Sequence, residues 1–134
     1  MKKILISVLL LNFSFASYAS TTYCPSTVTC SSTDCSIGTG WKLLDKQPME
    51  TTGSVVFYWD QAVARHNDEE YDVSCVYSTS EQPNILVMIE PDGIQLSPDK
   101  EYSNNKWTDV SSVNGALCSL NHGAGDEKDC PFTS

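Results

Sequence analysis

The sequence is poor in basic side chains. Eight Lys and Arg residues stand against 17 Asp and Glu residues, which gives a formal net charge of −9. Nucleic acids and anionic membrane surfaces are bound mainly through Lys and Arg, so this balance argues against both as partners. It favours an acidic, well solvated surface that attracts cations or cationic proteins.

The sequence also lacks the motifs of the common enzyme classes. It contains no Gly-x-Ser-x-Gly elbow and no Gly-rich phosphate cradle, and its even number of cysteines predicts that no thiol stays unpaired. Cys30 and Cys35 are separated by four residues, not by the two of a thioredoxin-type redox pair. We therefore predict no catalytic residue and no cofactor. A small hydrolase remains an alternative, and it would require His66 or His122 to lie against a carboxylate and a hydroxyl.

Long apolar runs are absent beyond the first residues. Two lysines precede the apolar run 4–11, and Ser17 and Ala19 place small residues at the −3 and −1 positions of a signal peptidase site. The run is too short to span a bilayer, which needs roughly 20 residues. We predict a signal peptide over 1–19 and a single β-rich domain over 20–134, without a membrane span. The short n-region indicates a bacterial product that is exported to the periplasm or secreted, with a net charge of 6 − 17 = −11 once the two lysines are removed.

Six cysteines follow the predicted cleavage site, and an even number behind a signal peptide is typical of a disulfide framework. They are Cys24, Cys30, Cys35, Cys75, Cys118 and Cys130. The predicted pairs are Cys30 with Cys35, Cys75 with Cys118, and Cys24 with Cys130. The last pair would close a loop of about 100 residues, which is worth about 4 to 5 kcal/mol in the chain-entropy model. A local pair between Cys118 and Cys130 is the alternative.

The stretch 71–77 shows the clearest periodicity. Tyr71, Val73, Cys75 and Tyr77 fall on one face of an extended chain, which is typical of a half-buried strand. The run 54–65 is dense in β-branched and aromatic residues, and a polar turn separates it from 70–78, so the two segments are predicted to form an antiparallel pair.

Further short strands are predicted along the rest of the chain. The segment 85–89 is apolar on both faces and is predicted to be a strand. The turn Pro91-Asp92-Gly93 follows it and leads into a return strand carrying Ile94 and Leu96. The last two predicted strands are 106–110, around Trp107, and 116–120. Residues 20–40 are predicted to be an extended, disulfide-stapled lead-in. The fold class is therefore all-β, a small antiparallel β-sandwich or partly closed barrel with little or no helix after the signal peptide.

Two sets of residues are candidates for a binding site. Tyr58, with Tyr102 or Trp107 nearby, would form an exposed aromatic patch for a protein or a glycan if the outer face of the sheet is uncovered. The acidic loop after His122 offers Asp126, Glu127 and Asp129 to a calcium ion, but its spacing lacks the EF-hand pattern, which favours an ordinary exposed loop.

Several short motifs resemble an uncharacterised family of small exported bacterial proteins, classed as a domain of unknown function. They are Cys24-Pro25, Gly40-Trp41, Phe57 with Ala62, Val73-Ser-Cys75-Val-Tyr77, Trp107, Cys118 and Cys130-Pro131-Phe132. Cys30 and Cys35 are additional to that pattern, which supports their pairing with each other. The resemblance implies a β-rich exported domain and supplies no catalytic residues.

These observations predict an exported, disulfide-stabilised binding or interaction module. The first alternative is an inhibitor or protective partner of another exported protein, in which the acidic surface engages a cationic cleft. The small hydrolase is the second.

Overall fold

The computed structural model describes residues 20–50 and 52–134, so the predicted signal peptide lies outside the described residues. In these ranges the strands are Thr27–Cys30 (β1), Cys35–Ser36 (β2), Trp41–Lys46 (β3), Val55–Asn67 (β4), Glu70–Ser78 (β5), Val87–Pro91 (β6), Ser97–Pro98 (β7), Thr108–Val110 (β8), Gly115–Ser119 (β9) and Phe132–Thr133 (β10). Three single 3-10 turns, Ser111–Val113, Leu120–His122 and Glu127–Asp129, are the helical elements of the same ranges. The predicted all-β class is confirmed. No helix in the described part of the chain is long and apolar enough to cross a membrane.

Most of the strands form one antiparallel sheet, in the order β2-β1-β4-β5-β6-β3. Strand β4 is long enough to pair with β1 along its first half and with β9 along its second half, on the side opposite β5. The two ends of the sheet approach each other, because the Lys46 ammonium on β3 donates to the carbonyls of Ser31 and Ser32 in the β1–β2 turn, at 3.0 and 3.1 Å. The result is the nearly closed barrel that was one of the two predicted architectures.

A β-bulge keeps the inner face of β4 apolar along its whole length. Phe57 and Trp59 point into the core before the bulge, and Ala62 and Ala64 do so after it. The extra residue between Trp59 and Gln61 shifts the inward positions from odd to even numbers, which a regular strand could not do. The predicted pairing of 54–65 with 70–78 is confirmed, and the strand extends two residues further than predicted, to Asn67.

Two of the three predicted disulfides are wrong. The observed pairs are Cys24–Cys75, Cys30–Cys35 and Cys118–Cys130, instead of Cys24–Cys130 and Cys75–Cys118. Cys30–Cys35 is confirmed, since the two residues are direct partners in the β1–β2 ladder.

The chain paths explain the other two disulfides. Strand β1 runs beside β4, and the segment before it reaches β5, where the Tyr77 hydroxyl donates to the Pro25 carbonyl at 2.6 Å. Cys24 is thereby brought to Cys75. After β9 the chain folds back through its 3-10 turns, so Cys130 meets Cys118 on that strand. This local pair was the alternative that the sequence left open.

The predicted return strand carrying Ile94 and Leu96 is also wrong. Neither residue belongs to a strand, and Leu96 instead enters the core. Two local features account for the difference: β6 ends at Pro91, which has no backbone N–H to continue a ladder, and Gly93 adopts a left-handed φ of 76°. Pairing resumes only in β7, whose partner is β10 in the C-terminal tail.

Candidate functional site

A groove of about 580 Å³ opens on the outer face of the sheet, where β5 and β6 separate. Its volume is in the range of sites that bind small molecules or peptide segments. Aliphatic side chains make up much of its lining, and the main ones are Leu44, Val63, Val76, Leu86, Met88 and Ile94.

The groove exists because β6 leaves β5 early. The ladder between them covers Cys75–Tyr77, whereas β4 pairs with β5 as far as Glu70. β6 pairs with β3 along its whole length, with Pro91 opposite Trp41, so its last residues keep β3 as a neighbour after they have left β5. The first half of β5 therefore has β4 on one side and the groove on the other.

A side chain bridges this unpaired part of β5. The amide nitrogen of Gln95 donates to the carbonyl of Tyr71 at 2.7 Å. Backbone groups of an antiparallel strand alternate between its two sides, so this bond shows that Tyr71 and Val73 direct their backbone groups toward the groove. The Gln95 amide stands where the N–H of a neighbouring strand would donate in a complete sheet.

Val76 is one of the most buried residues of the groove lining. It lies on the outer face of β5, yet it is only 3% exposed, because Gln61 and Met88 flank it on the adjacent strands. The sequence alone did not predict this groove. Two signals were present: an apolar residue at an outward position of an otherwise alternating strand, and the prediction that 85–89 is apolar on both faces.

Charged residues line the rim of the groove. Arg65 lies directly opposite Asp72 across the β4–β5 ladder. Glu90 lies on the other wall, and Lys42 approaches it at 3.6 Å. The lining residues thus include one basic and two acidic side chains, in a described chain of net charge 6 − 17 = −11.

The three aromatic residues predicted for a binding surface have three different environments. Tyr58 is 58% exposed on β4, between Thr27 and Ser78 on the adjacent strands. Tyr102 is exposed too, and its hydrogen bond with Tyr23 raises the pKa of the Tyr23 phenol.

Trp107, in contrast, is a packing residue. Its indole N–H donates to the Pro131 carbonyl at 2.8 Å, and its ring meets Phe132 edge-on at a centroid distance of 5.3 Å. The indole thereby attaches the C-terminal tail to the barrel.

The acidic loop at 126–129 uses its carboxylates for its own backbone. Asp126 accepts from the N–H of Lys128 at 2.9 Å, and Asp129 accepts from the N–H of Gly125 at 2.7 Å. Within 20–50 and 52–134, no group of three or more His, Cys, Asp or Glu side chains is placed to hold a metal ion. The candidate calcium ligands Asp126, Glu127 and Asp129 are therefore not retained.

A hydrolase would require His66 or His122 to lie against a carboxylate and a hydroxyl. The His66 ring meets Tyr71 edge-on, with ring centroids 4.7 Å apart. Among the described residues, neither the His66 nor the His122 side chain forms a hydrogen bond or an ion pair.

Comparison with known proteins gives no functional assignment. No protein-family model, curated protein or solved structure is significantly similar to the chain. The resemblance to an uncharacterised exported family thus stays a prediction, and function has to be inferred from the chemistry of the groove.

Proposed function

We propose that the protein is an exported binding module and that the groove beside β5 receives an extended peptide segment of a partner protein. The observation that carries this proposal is a groove of about 580 Å³ with an aliphatic floor and polar walls, open along the edge of a strand. Extended peptides combine backbone hydrogen-bonding groups with apolar side chains, and sites of this kind satisfy both.

The composition of the lining favours a peptide over a glycan. Tyr71 is the one aromatic side chain among the lining residues, so sugar rings would find few flat faces to stack on. Export is supported by the three disulfides, which are typical of proteins that fold in an oxidising compartment, and by the predicted signal peptide over 1–19. An inhibitor or protective partner would be one form of the same binding activity.

A display library of random linear dodecapeptides tests the proposal. The library is selected on the wild-type chain, and recovered peptides are then measured against Leu86→Asp and Leu120→Asp. Both leucines are partly exposed, 41% and 44%, but only Leu86 lines the groove, so the two substitutions are matched in chemistry and in the exposure of the residue replaced.

We expect Leu86→Asp to weaken binding at least tenfold, about 1.4 kcal/mol, because a carboxylate would enter the aliphatic lining. Leu120→Asp should leave binding within about twofold of wild type. A library that yields no peptides, or peptides that bind Leu86→Asp as well as wild type, would overturn the proposal.

A further inference from the structure

We infer that the bound segment joins the sheet as an additional strand on the groove side of β5, and that it carries a net positive charge. This inference rests on the proposed function, since it specifies how the groove is occupied and by what class of peptide. The addition of a strand is inferred from the backbone of β5, and the positive charge of the segment is inferred from the charges of the protein.

The backbone of Val73 is the central point of the free edge. Cys75, on one side of it, pairs with Ile89 of β6, and Tyr71, on the other side, is bridged by the Gln95 side chain. If the β5–β6 register continued by two residues, Val73 would face Pro91, which has no N–H to donate. β6 therefore cannot supply a backbone donor to the Val73 carbonyl, and an incoming strand can.

The Gln95 side chain occupies the position of the missing strand. Gln95 is an exposed residue, and its side-chain amide, not its backbone, donates to β5. Neighbouring strands are about 4.8 Å apart, so a bound segment would displace the Gln95 amide and donate its own N–H to Tyr71. The Gln95 amide therefore competes with the ligand for the Tyr71 carbonyl.

An added strand would place alternate side chains against the aliphatic lining. Side chains of a β-strand point to opposite faces with a period of two. Those on the outer face would lie beside Asp72 and Ser74 and reach toward Leu44 and Ile94, which line the same groove. The preferred segment accordingly has an aliphatic residue at every second position.

The net charge of the described chain favours a cationic segment. Around the groove, Arg65 lies opposite Asp72 and Lys42 lies 3.6 Å from Glu90, so the local charges nearly balance. The described chain as a whole carries −11, and this charge attracts positive charge at longer range. Asp72 lies at the edge where the added strand would run, and opposite charges on adjacent strands attract each other.

Backbone methylation of the selected peptides tests the strand addition. N-methyl groups are placed on one alternate set of backbone nitrogens or on the other. We expect one set to weaken binding at least about tenfold and the other to change it less than about twofold, because only one set faces β5. Gln95→Ala should tighten binding a few-fold, since it removes the competing amide.

The charge is tested with Asp72→Asn and with salt. We expect the selected peptides to be net basic, to bind Asp72→Asn several-fold more weakly, and to lose affinity as salt rises to about 1 M, where the Debye length is about 3 Å.

The outcomes separate the inference from the proposed function. If groove-dependent peptides are found but both methylated sets bind equally well, strand addition is wrong and the binding function stands. If the peptides are acidic or insensitive to salt, the cationic class is wrong. If no peptide depends on Leu86, the proposed function fails and the inference fails with it.

Discussion

The two sides of β5 are built in opposite ways. On its closed flank, defined here as β1, β4 and β9, it has a continuous ladder with β4 from Ser78 to Glu70. On its open flank, defined as β6, β3 and the segment 92–96, the ladder covers Cys75–Tyr77. The comparison indicates that the chain completes the pairing on one side of this strand and leaves it incomplete on the other, which is the side where we propose that a partner binds.

The disulfides and the features that protect edge strands also differ between the closed and the open flank. Two buried disulfides, Cys24–Cys75 and Cys118–Cys130, attach the segment before β1 to β5 and the C-terminal tail to β9. On the open flank, β3 is an edge strand with a bulge at Leu44 and three charged residues, Lys42, Asp45 and Lys46. Bulges and charges protect edge strands against unwanted pairing, so the groove edge of β5 is left as the more accessible template.

The largest expected effect is the loss of the disulfide that links the N-terminal segment to β5. In the chain-entropy model, loops of 51, 12 and 5 residues correspond to about 4, 3 and 2 kcal/mol respectively. Replacing both cysteines of Cys24–Cys75 by alanine should therefore cost about 4 kcal/mol, and replacing Cys30 and Cys35 about 2. Urea unfolding of the three double variants measures the order. A greater loss at Cys30–Cys35 than at Cys24–Cys75 would contradict the order that the loop lengths predict.

The second effect is steric and lies within the closed flank. A Cβ atom added at Gly115 would lie 1.8 Å from the carbonyl oxygen of Ala64, because β9 meets β4 at that residue. We expect Gly115→Ala to destabilise the fold by about 3 kcal/mol, the upper end of overpacking costs. Gly38→Ala is the control: its nearest neighbour is a Pro25 side-chain carbon at 3.9 Å, so it should change stability by less than about 0.5 kcal/mol. Equal thermal midpoints for the two variants would show that β9 can move away from β4.

The third effect depends on pH and is confined to Tyr77. Burial raises the pKa of this phenol far above its usual range, and the nearby carboxylate of Glu127 raises it further. The unfolded chain ionises near pH 10, whereas the folded chain keeps the proton, so the contribution of Tyr77 is complete below pH 10 and decreases above it. Tyr77→Phe, which loses the hydrogen bond to Pro25, should be about 1 kcal/mol less stable than wild type at neutral pH. The difference should shrink between pH 10 and pH 11 in urea unfolding, and a constant difference would refute the assignment.

How much the sequence predicts differs between the two flanks. The β4–β5 hairpin was predictable because alternation and a polar turn are local signals, visible in Val73, Cys75 and Tyr77. The partner of Cys24 was not, since it depends on which strand β1 runs beside, and this is a non-local choice. Strand β3 was missed because its bulge at Leu44 interrupts the period of two.

The groove was less predictable than the barrel. Its existence depends on the point where β6 leaves β5, and the sequence marks that point only by Pro91. The outward Val76 signals buried apolar contact on the outer face but does not reveal whether the covering element belongs to this chain or to a partner.

The smallest expected effect distinguishes local opening from global stability. Lys46→Met removes the two hydrogen bonds that connect β3 to the β1–β2 turn, at the seam of the barrel. These bonds are partly exposed, so we expect a global loss of only about 0.5 to 1 kcal/mol. Local opening should be more sensitive, because β3 has a single strand neighbour. Amide hydrogen exchange in β3 should therefore accelerate while exchange in β4 stays nearly constant.

Lys42→Met, which removes an exposed ion pair with Glu90, is the matched control and should leave exchange in β3 close to wild type. Parallel acceleration in β3 and β4 would mean that the two flanks open as one unit, and the division between them would then not extend to local stability.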